Sequence, residues 1–480
     1  MLGMTKFFLY ISALFLIFCD VKGQTSNVAG QKVETWRNSE LFANTAISLA
    51  VCDARTGEIL IKSEPQLSLV PASIFKVVTM ATALEVFGPD YRFKTVLAYS
   101  GSIKNDTLWG DLLIIGGGDP TLGSDYFPGT KSFTDDWAKS LKTAKIRVVT
   151  GKLIVDSSVY EKIQVPGTWA WEDLGSYYGA TPSGVSVYDN LFEIHMSSPL
   201  AVDQPAKIRS VKPEIPGLEI RSEVLSSDIN SDQSYIFGNP EDNRRVIRGT
   251  IPKGESDFTV KASMPDPAVV LSFIFRQKLR ESGIEILGTT AYERATIGYS
   301  VVKETFSPPL SEIIRITNFE SVNLFAEHLL KHLAWQKNGI GTTKDGCQFV
   351  ADFWKEKGMP MNGFFMTDGS GLSRFDALTA GQMCWILNYM NARSSNKELF
   401  IKSLPAAGWG TLTAFDPENF PNNCLRAKSG SMTRVRCYAG YLKTDSGKDL
   451  SFAIMLNNFS CTMKEATQKI QELLVKFREL

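Results

Sequence analysis

Apolar positions along this chain fall into three textures, and each predicts a different kind of element. The first is an unbroken run, Phe7 to Phe18, which follows Lys6 and ends before Asp20-Val21-Lys22-Gly23-Gln24. A basic start, a core of about 12 apolar residues and the small Val21 and Gly23 predict a secretory signal peptide over residues 1–23. The run is too short to span a bilayer comfortably. The expected location of the mature protein is therefore the periplasm or cell envelope.

The second texture is a strand, a turn at Asp53-Ala54-Arg55-Thr56-Gly57 and a return strand within Ala46 to Leu60, feeding a helix. That helix begins near Ser73 and runs to about Val86, before Gly88-Pro89. The third begins at about Arg92, where β-type alternation takes over: Phe93 to Tyr99, Thr107 to Ile115, Arg147 to Val149, Leu153 to Val155. Helices over Asp135 to Lys145 and Val269 to Gly283 interrupt it. Residues 195–260 are more polar and strand-rich, and Ile284 to Tyr299 closes the zone. Helical periodicity returns at Pro308-Pro309-Leu310-Ser311-Glu312, with Ser311 as a candidate N-cap. The pattern predicts a mixed α/β (α+β) chain. A unit built from residues 24–91 resumes at 306–480, around an inserted strand-rich domain (92–194 and 261–305) with a small accessory β domain nested at 195–260.

Charge narrows the function classes. Lys+Arg and Asp+Glu number 51 each, so no global field points to nucleic acid. A leader of 23 residues would take Lys6, Lys22 and Asp20 with it, leaving one more acidic than basic side chain. Cys19 opens a lipid-anchor alternative, which bulky Phe18 before it opposes. Cys52, Cys347, Cys384, Cys424, Cys437 and Cys461 stay open between bridges and buried thiols; none has metal spacing. His328 and His332 stand one helical turn apart and read as structural or surface-facing, because no third zinc ligand is in view. No cofactor or metal is expected.

Candidate chemistry starts at Ser73. Three residues on stands Lys76, on the same face of a helix, and a serine hydroxyl becomes a nucleophile once a nearby base takes its proton. The spacing alone proves little, since it recurs at Ser300/Lys303 and Ser394/Lys397. Ser321 and Asn323 lie two apart at an expected helix junction, where a hydroxyl and an amide can move a proton and hold a carbonyl. Lys428-Ser429-Gly430 occurs once, followed by Ser431. On an edge strand it offers a cation, a hydroxyl and a glycine that lets another backbone approach, which suits a bound carboxylate. Gly116-Gly117-Gly118 precedes Asp119-Pro120 and reads as a turn rather than a phosphate loop. Aromatics and acids at 166–190 suit a polar peptide or sugar groove as well as a packed loop.

Taken together, Ser73-x-x-Lys76, Ser321-x-Asn323 and Lys428-Ser429-Gly430 resemble the motif triplet of penicillin-binding proteins and class A β-lactamases. The chain is most similar to the class C, type-4 low-molecular-mass penicillin-binding proteins, the D-alanyl-D-alanine carboxypeptidase/endopeptidase family. Gly117 to Leu122, Asp368-Gly369-Ser370-Gly371-Leu372-Ser373-Arg374, Gly410-Thr411-Leu412 and the long stretch between Ser73 and Ser321 carry the likeness further. The resemblance implies a serine β-lactamase/DD-peptidase-like fold, an antiparallel sheet flanked by helices. It implies a serine-type peptidase that acts on peptidoglycan stem peptides or cross-links and is acylated by β-lactams. Ser73 would be the nucleophile and Lys76 its base, with the base's pKa lowered by burial and by Lys428. Ser321 would relay a proton and Asn323 bind a substrate amide. Lys428 and Ser429 would hold the terminal carboxylate, with Gly430 beside them, and the N–H groups of Ser73 and Ser431 would form the oxyanion hole. Asp173 and Arg374 would meet the peptide side chain. A β-lactamase or esterase on the same fold and a non-catalytic wall-binding relative are the alternatives. Membrane contact, and the choice between monomer and homo-oligomer, stay open.

Overall fold

The structure is a computed structural model that describes residues 30–480 apart from 32, 163, 164, 241 and 297. The expected leader and Cys19 lie outside the described residues. Two bodies of secondary structure share the chain. One is an antiparallel sheet in the order Ile59–Ser63, Ala46–Asp53, Asp449–Asn457, Val435–Lys443, Leu425–Met432. Strands from the start and the end of the chain thus lie side by side, and Leu425–Met432 is an edge.

Alternation along these strands feeds two cores. Ile47, Leu49 and Val51 face Ile470, Leu473 and Phe477 of the Met463–Arg478 helix. Ala50 and Cys52 belong to the other face, with Ala453, Met455 and the helices that carry Val77, Leu329 and Met383. Each fully buried Leu, Ile or Phe on either side contributes about 1.5–3 kcal/mol. The Lys76–Phe87 helix is buried from Lys76 through Leu84. A helix that is apolar all round sits inside a fold, so the lysine at its first position is enclosed with it.

Residues 94–306 hold further sheets, including one in the order Thr290–Tyr292, Leu153–Asp156, Leu112–Ile115, Lys94–Tyr99, Ser300–Phe306. The helices Phe133–Thr143 and Pro267–Glu281 cover this region, with the rings of Trp137 and Phe275 edge to face at 5.2 Å. The strands Glu219–Ser227, Arg244–Pro252 and Gln233–Phe237 form a small sheet of their own. The strand Leu191–Ser197 runs through position 195, and pairs with both Lys207–Lys212 and Phe258–Ser263.

Some local expectations shift. Asp266 caps the Pro267–Glu281 helix through the N–H groups of Ala268 and Val269, so the helix starts two residues before Val269. The helix after Pro308 runs Leu310–Glu320 with Pro309, not Ser311, at its N-cap; Ser311 is already its second helical residue, and its N–H donates to the carbonyl of Pro89. The six described cysteines are free thiols. No helix among the described residues is long and apolar enough to cross a membrane.

His328 and His332 are buried rather than surface-facing. His328 bonds the Gly118 carbonyl at 2.9 Å and the Ser186 hydroxyl at 2.9 Å. The Tyr91 hydroxyl meets His332 at 2.5 Å, and Tyr160 donates to the His328 carbonyl at 3.0 Å. Burial holds both imidazoles down, at about 3. These neutral rings stitch the 94–306 region to the Asn323–Asn338 helix.

Candidate active site

Ser73 lies in a tight turn, Ala72–Phe75, that leads straight into the Lys76–Phe87 helix. Ala72 enters it at φ +48°, a left-handed conformation that costs an L-residue roughly 1–2 kcal/mol. Two glycines let other segments close on the turn. A Cβ on Gly371, itself at φ +75°, would come 2.1 Å from the Ala72 carbonyl oxygen. A Cβ on Gly430 would come 2.5 Å from the Pro71 carbonyl oxygen and 3.0 Å from the Ser73 nitrogen. The edge strand Leu425–Met432 can therefore lie against the serine only with glycine at 430.

Lys76 is fully buried, and its Nζ meets three oxygens: Ser73 Oγ at 3.0 Å, Asn323 Oδ1 at 2.6 Å and the Ser370 carbonyl at 2.8 Å. Two of the three can only accept. A neutral amine has two N–H groups for them, and its lone pair is left for the Ser73 hydroxyl. Burial pulls this lysine down to about 7, while Asp368, Glu327 and Asp376 oppose the shift. Burial is the main cause of this lowering, and Lys428 is not among the groups that shift it. Lys428 is also fully buried and is held well below its ordinary value by burial, then by Lys76 and Arg436.

The motif residues sit on separate elements. Ser321 ends the Leu310–Glu320 helix in a left-handed conformation, φ +61°, and Asn323 opens the Asn323–Asn338 helix. Asn323 also donates from Nδ2 to the Tyr178 carbonyl at 2.8 Å, which ties the 94–306 region to the lysine. Ser321 is not among the three partners of Lys76. Lys428, Ser429, Gly430 and Ser431 occupy the edge strand, where Lys428 Nζ donates to the Ser429 carbonyl at 2.9 Å and Ser431 is exposed.

Asp173 and Arg374 do not form a direct pair. Arg374 is exposed and its guanidinium lies 3.5 Å from Glu172, while Asp173 hydrogen-bonds Tyr178. Burial pushes the Asp173 carboxyl up, and its hydrogen bond to Tyr178 opposes that.

Sequence reasoning missed what stands behind Lys76. Asp368 accepts from the N–H groups of Ser370, Gly371 and Ser373 and from Trp169 Nε1 at 2.8 Å. Glu327 accepts from the N–H groups of Gly369 and Ser370. Asp376 accepts from Thr367. All three carboxyls are buried. Glu327 stands four residues after Asn323, on the same helix face, and that spacing was the available signal. The look-alike pairs dissolve: Ser300 and Lys303 are exposed in a strand, and the Ser394 hydroxyl donates to Glu85.

A serine and an enclosed lysine at the start of a buried helix, closed by the edge strand of an antiparallel sheet, define the fold of the penicillin-recognising serine enzymes. The chain belongs to the D-Ala-D-Ala carboxypeptidase 3 (S13) family, whose model matches residues 31–479, and it is accordingly a serine peptidase. It is 26% identical over 427 residues to a D-alanyl-D-alanine carboxypeptidase of Actinomadura sp., covering 86% of this chain and 78% of the relative. It is 24% identical over 421 residues to the D-alanyl-D-alanine carboxypeptidase DacB of Haemophilus influenzae, covering 86% of this chain and 85% of that one. The crystal structure of penicillin binding protein 4 from Haemophilus influenzae superposes with a TM-score of 0.80 at 21% identity, over 93% of this chain and 99% of that one.

Proposed function

We propose that the chain is an exported serine-type D-Ala-D-Ala carboxypeptidase working through an acyl-enzyme at Ser73. The observation that carries this is the coordination of Lys76, enclosed, lowered to about 7 and 3.0 Å from Ser73 Oγ. Neutral Lys76 takes the hydroxyl proton as Oγ attacks the carbonyl between the two D-alanines. The carbon–nitrogen bond breaks, the leaving amine of D-alanine gains a proton through Ser321, and water later releases the shortened peptide. Ser73 and Ser431 N–H groups take the developing oxyanion, a role worth roughly a hundredfold or more per donor.

Lys428 and Ser429 hold the terminal carboxylate. An anion there offsets the burial of the Lys428 ammonium, so carboxylate binding and the lysine's charge support one another. Asn323 is shared between Lys76 and a substrate amide, and Asp173 with Arg374 lines the side-chain end of the groove. In this reading the unit of residues 24–91 and 306–480 performs the chemistry. The inserted 92–194 and 261–305 domain shapes the rim, and 195–260 packs on it, sharing its core and stacking Phe237 on Trp171 at 4.7 Å.

The family membership and the names of the curated relatives support the substrate class, peptidoglycan stem peptides ending in D-Ala-D-Ala. A crystal structure of the Haemophilus influenzae protein complexed with a β-lactam supports acylation by that drug class. The periplasm or cell envelope is the matching compartment. The test is release of D-alanine from a pentapeptide, followed by separation of muropeptides from digested cross-linked peptidoglycan. D-alanine release with intact cross-links makes the protein a carboxypeptidase, and cleaved cross-links add endopeptidase activity. Rapid turnover of penicillin with no D-alanine release would favour the β-lactamase alternative.

A further inference from the structure

The Asn323–Asn338 helix reaches Lys76 twice. Asn323 does so directly, and Glu327, one turn later and fully buried, does so through the backbone of Ser370. Glu327 Oε1 accepts from Ser370 N at 2.8 Å and from Gly369 N at 3.0 Å, and Oε2 accepts from Gly369 N at 3.1 Å. The carbonyl of that same Ser370 accepts from Lys76 Nζ at 2.8 Å. The carbonyl of Gly369 accepts from Thr79 Oγ1 at 2.7 Å, on the lysine's own helix.

We propose that Glu327 is a positioning residue for Lys76, clamping the Gly369–Ser370 backbone so that the Ser370 carbonyl fixes the lysine's Nζ beside Ser73 Oγ. This rests on Lys76 being the base for Ser73. Two N–H groups fastened to one buried carboxylate fix the 369–370 peptide, and the next peptide, which carries the Ser370 carbonyl, is held by its own Gly371 N–H on Asp368 Oδ1 at 2.7 Å, so together the two carboxylates leave that carbonyl a single direction. A misplacement of about 1 Å at a reacting group costs on the order of a hundredfold in rate.

Glu327 also acts on the lysine by charge. The groups facing it are Lys76, Asp368 from the 368–373 loop, Cys347 from the Thr343–Glu356 helix, and Lys331 on its own helix, which pairs with Glu161. Asp376 lies behind Asp368, and Lys428 faces Lys76 from the edge strand. Burial and Asp368 push the Glu327 carboxyl up to about 8, against the backbone N–H groups that favour the carboxylate. Where it is ionised it raises the lysine's pKa, but near pH 7 that influence is weak, so the clamp rather than the charge carries its role.

The experiment measures the acylation rate by a fluorescent penicillin across pH for wild type, Ser73→Ala, Glu327→Gln, Glu327→Asp and Thr79→Val. Glu327→Gln should acylate on the order of a hundredfold more slowly at its plateau. Glu327→Asp keeps a carboxyl for the two N–H groups and should recover part of that rate. Thr79→Val loosens the same peptide without touching charge; it should slow acylation severalfold at an unmoved limb. Thr79→Val decides the matter if the buried Glu327 variants fail to fold. A Glu327→Gln enzyme with the wild-type plateau rate, or a Thr79→Val enzyme with the wild-type rate, overturns the proposal. Wild type that shows no Ser73-dependent acylation instead overturns the underlying reading of Lys76, and the two failures are thereby told apart.

Discussion

Gly430 and Ser73 touch backbone to backbone: a Cβ at 430 would stand 3.0 Å from the nitrogen of Ser73 and 2.5 Å from the carbonyl oxygen of Pro71. Gly430→Ala must therefore push the edge strand away from the nucleophile. The strand carries Lys428 and Ser431, so the proposed carboxylate anchor and oxyanion donor move with it. The expected result is acylation slowed on the order of a hundredfold. Thermal unfolding beside the rate measurement separates this from global loss of fold.

In the proposed mechanism Lys76 sets the pH dependence. Its pKa is lowered to about 7, and it serves as a base only when neutral. The acylation rate should rise as pH increases through about 7 and level off above it. A stopped-flow profile over that range checks this, and a profile that falls through the same window would contradict the assignment.

Lys428 should separate substrates by their last group. Lys428→Ala removes the cation offered to the terminal carboxylate, a loss of about 2–5 kcal/mol when the partner charge is buried. Hydrolysis of a free D-Ala-D-Ala peptide should suffer by that amount, and hydrolysis of its C-terminal amide far less. Comparing kcat/KM for the two peptides in both enzymes gives the answer.

His328 and His332 predict an acid-labile junction. Folded, both are held at about 3 against an ordinary 6.5, so below pH 6.5 the unfolded chain binds more protons. Their neutral burial imposes no such loss above about pH 6.5, and stability falls as pH drops toward 3. The slope is about 1.4 kcal/mol per pH unit for each histidine. Denaturant titrations should show a shallower loss in His328→Gln than in wild type.

Sequence made the motif residues legible because each stands at a break between elements that apolar periodicity reveals. Ser73 precedes a run buried on every side, Ser321 and Asn323 flank a helix junction, and Lys428 lies on an edge strand. Spacing alone could not separate Ser73/Lys76 from Ser394/Lys397, whose serine is engaged by Glu85. The resemblance did that. What stayed hidden depends on contacts across long sequence separations. Glu327 reads as an ordinary helical glutamate until the 368–373 loop folds onto it, and the Ser370 carbonyl has no signature at all. Likewise, nothing local announces that Arg374 stands by Glu172.

The central claim is that Ser73 forms the acyl-enzyme. The most direct measurement is intact-protein mass spectrometry after brief exposure to penicillin, with the modified peptide mapped in wild type and in Ser73→Ala. One adduct carried on Ser73 and absent from Ser73→Ala is the predicted result. An adduct that persists in Ser73→Ala, or one that maps elsewhere in wild type, would contradict it.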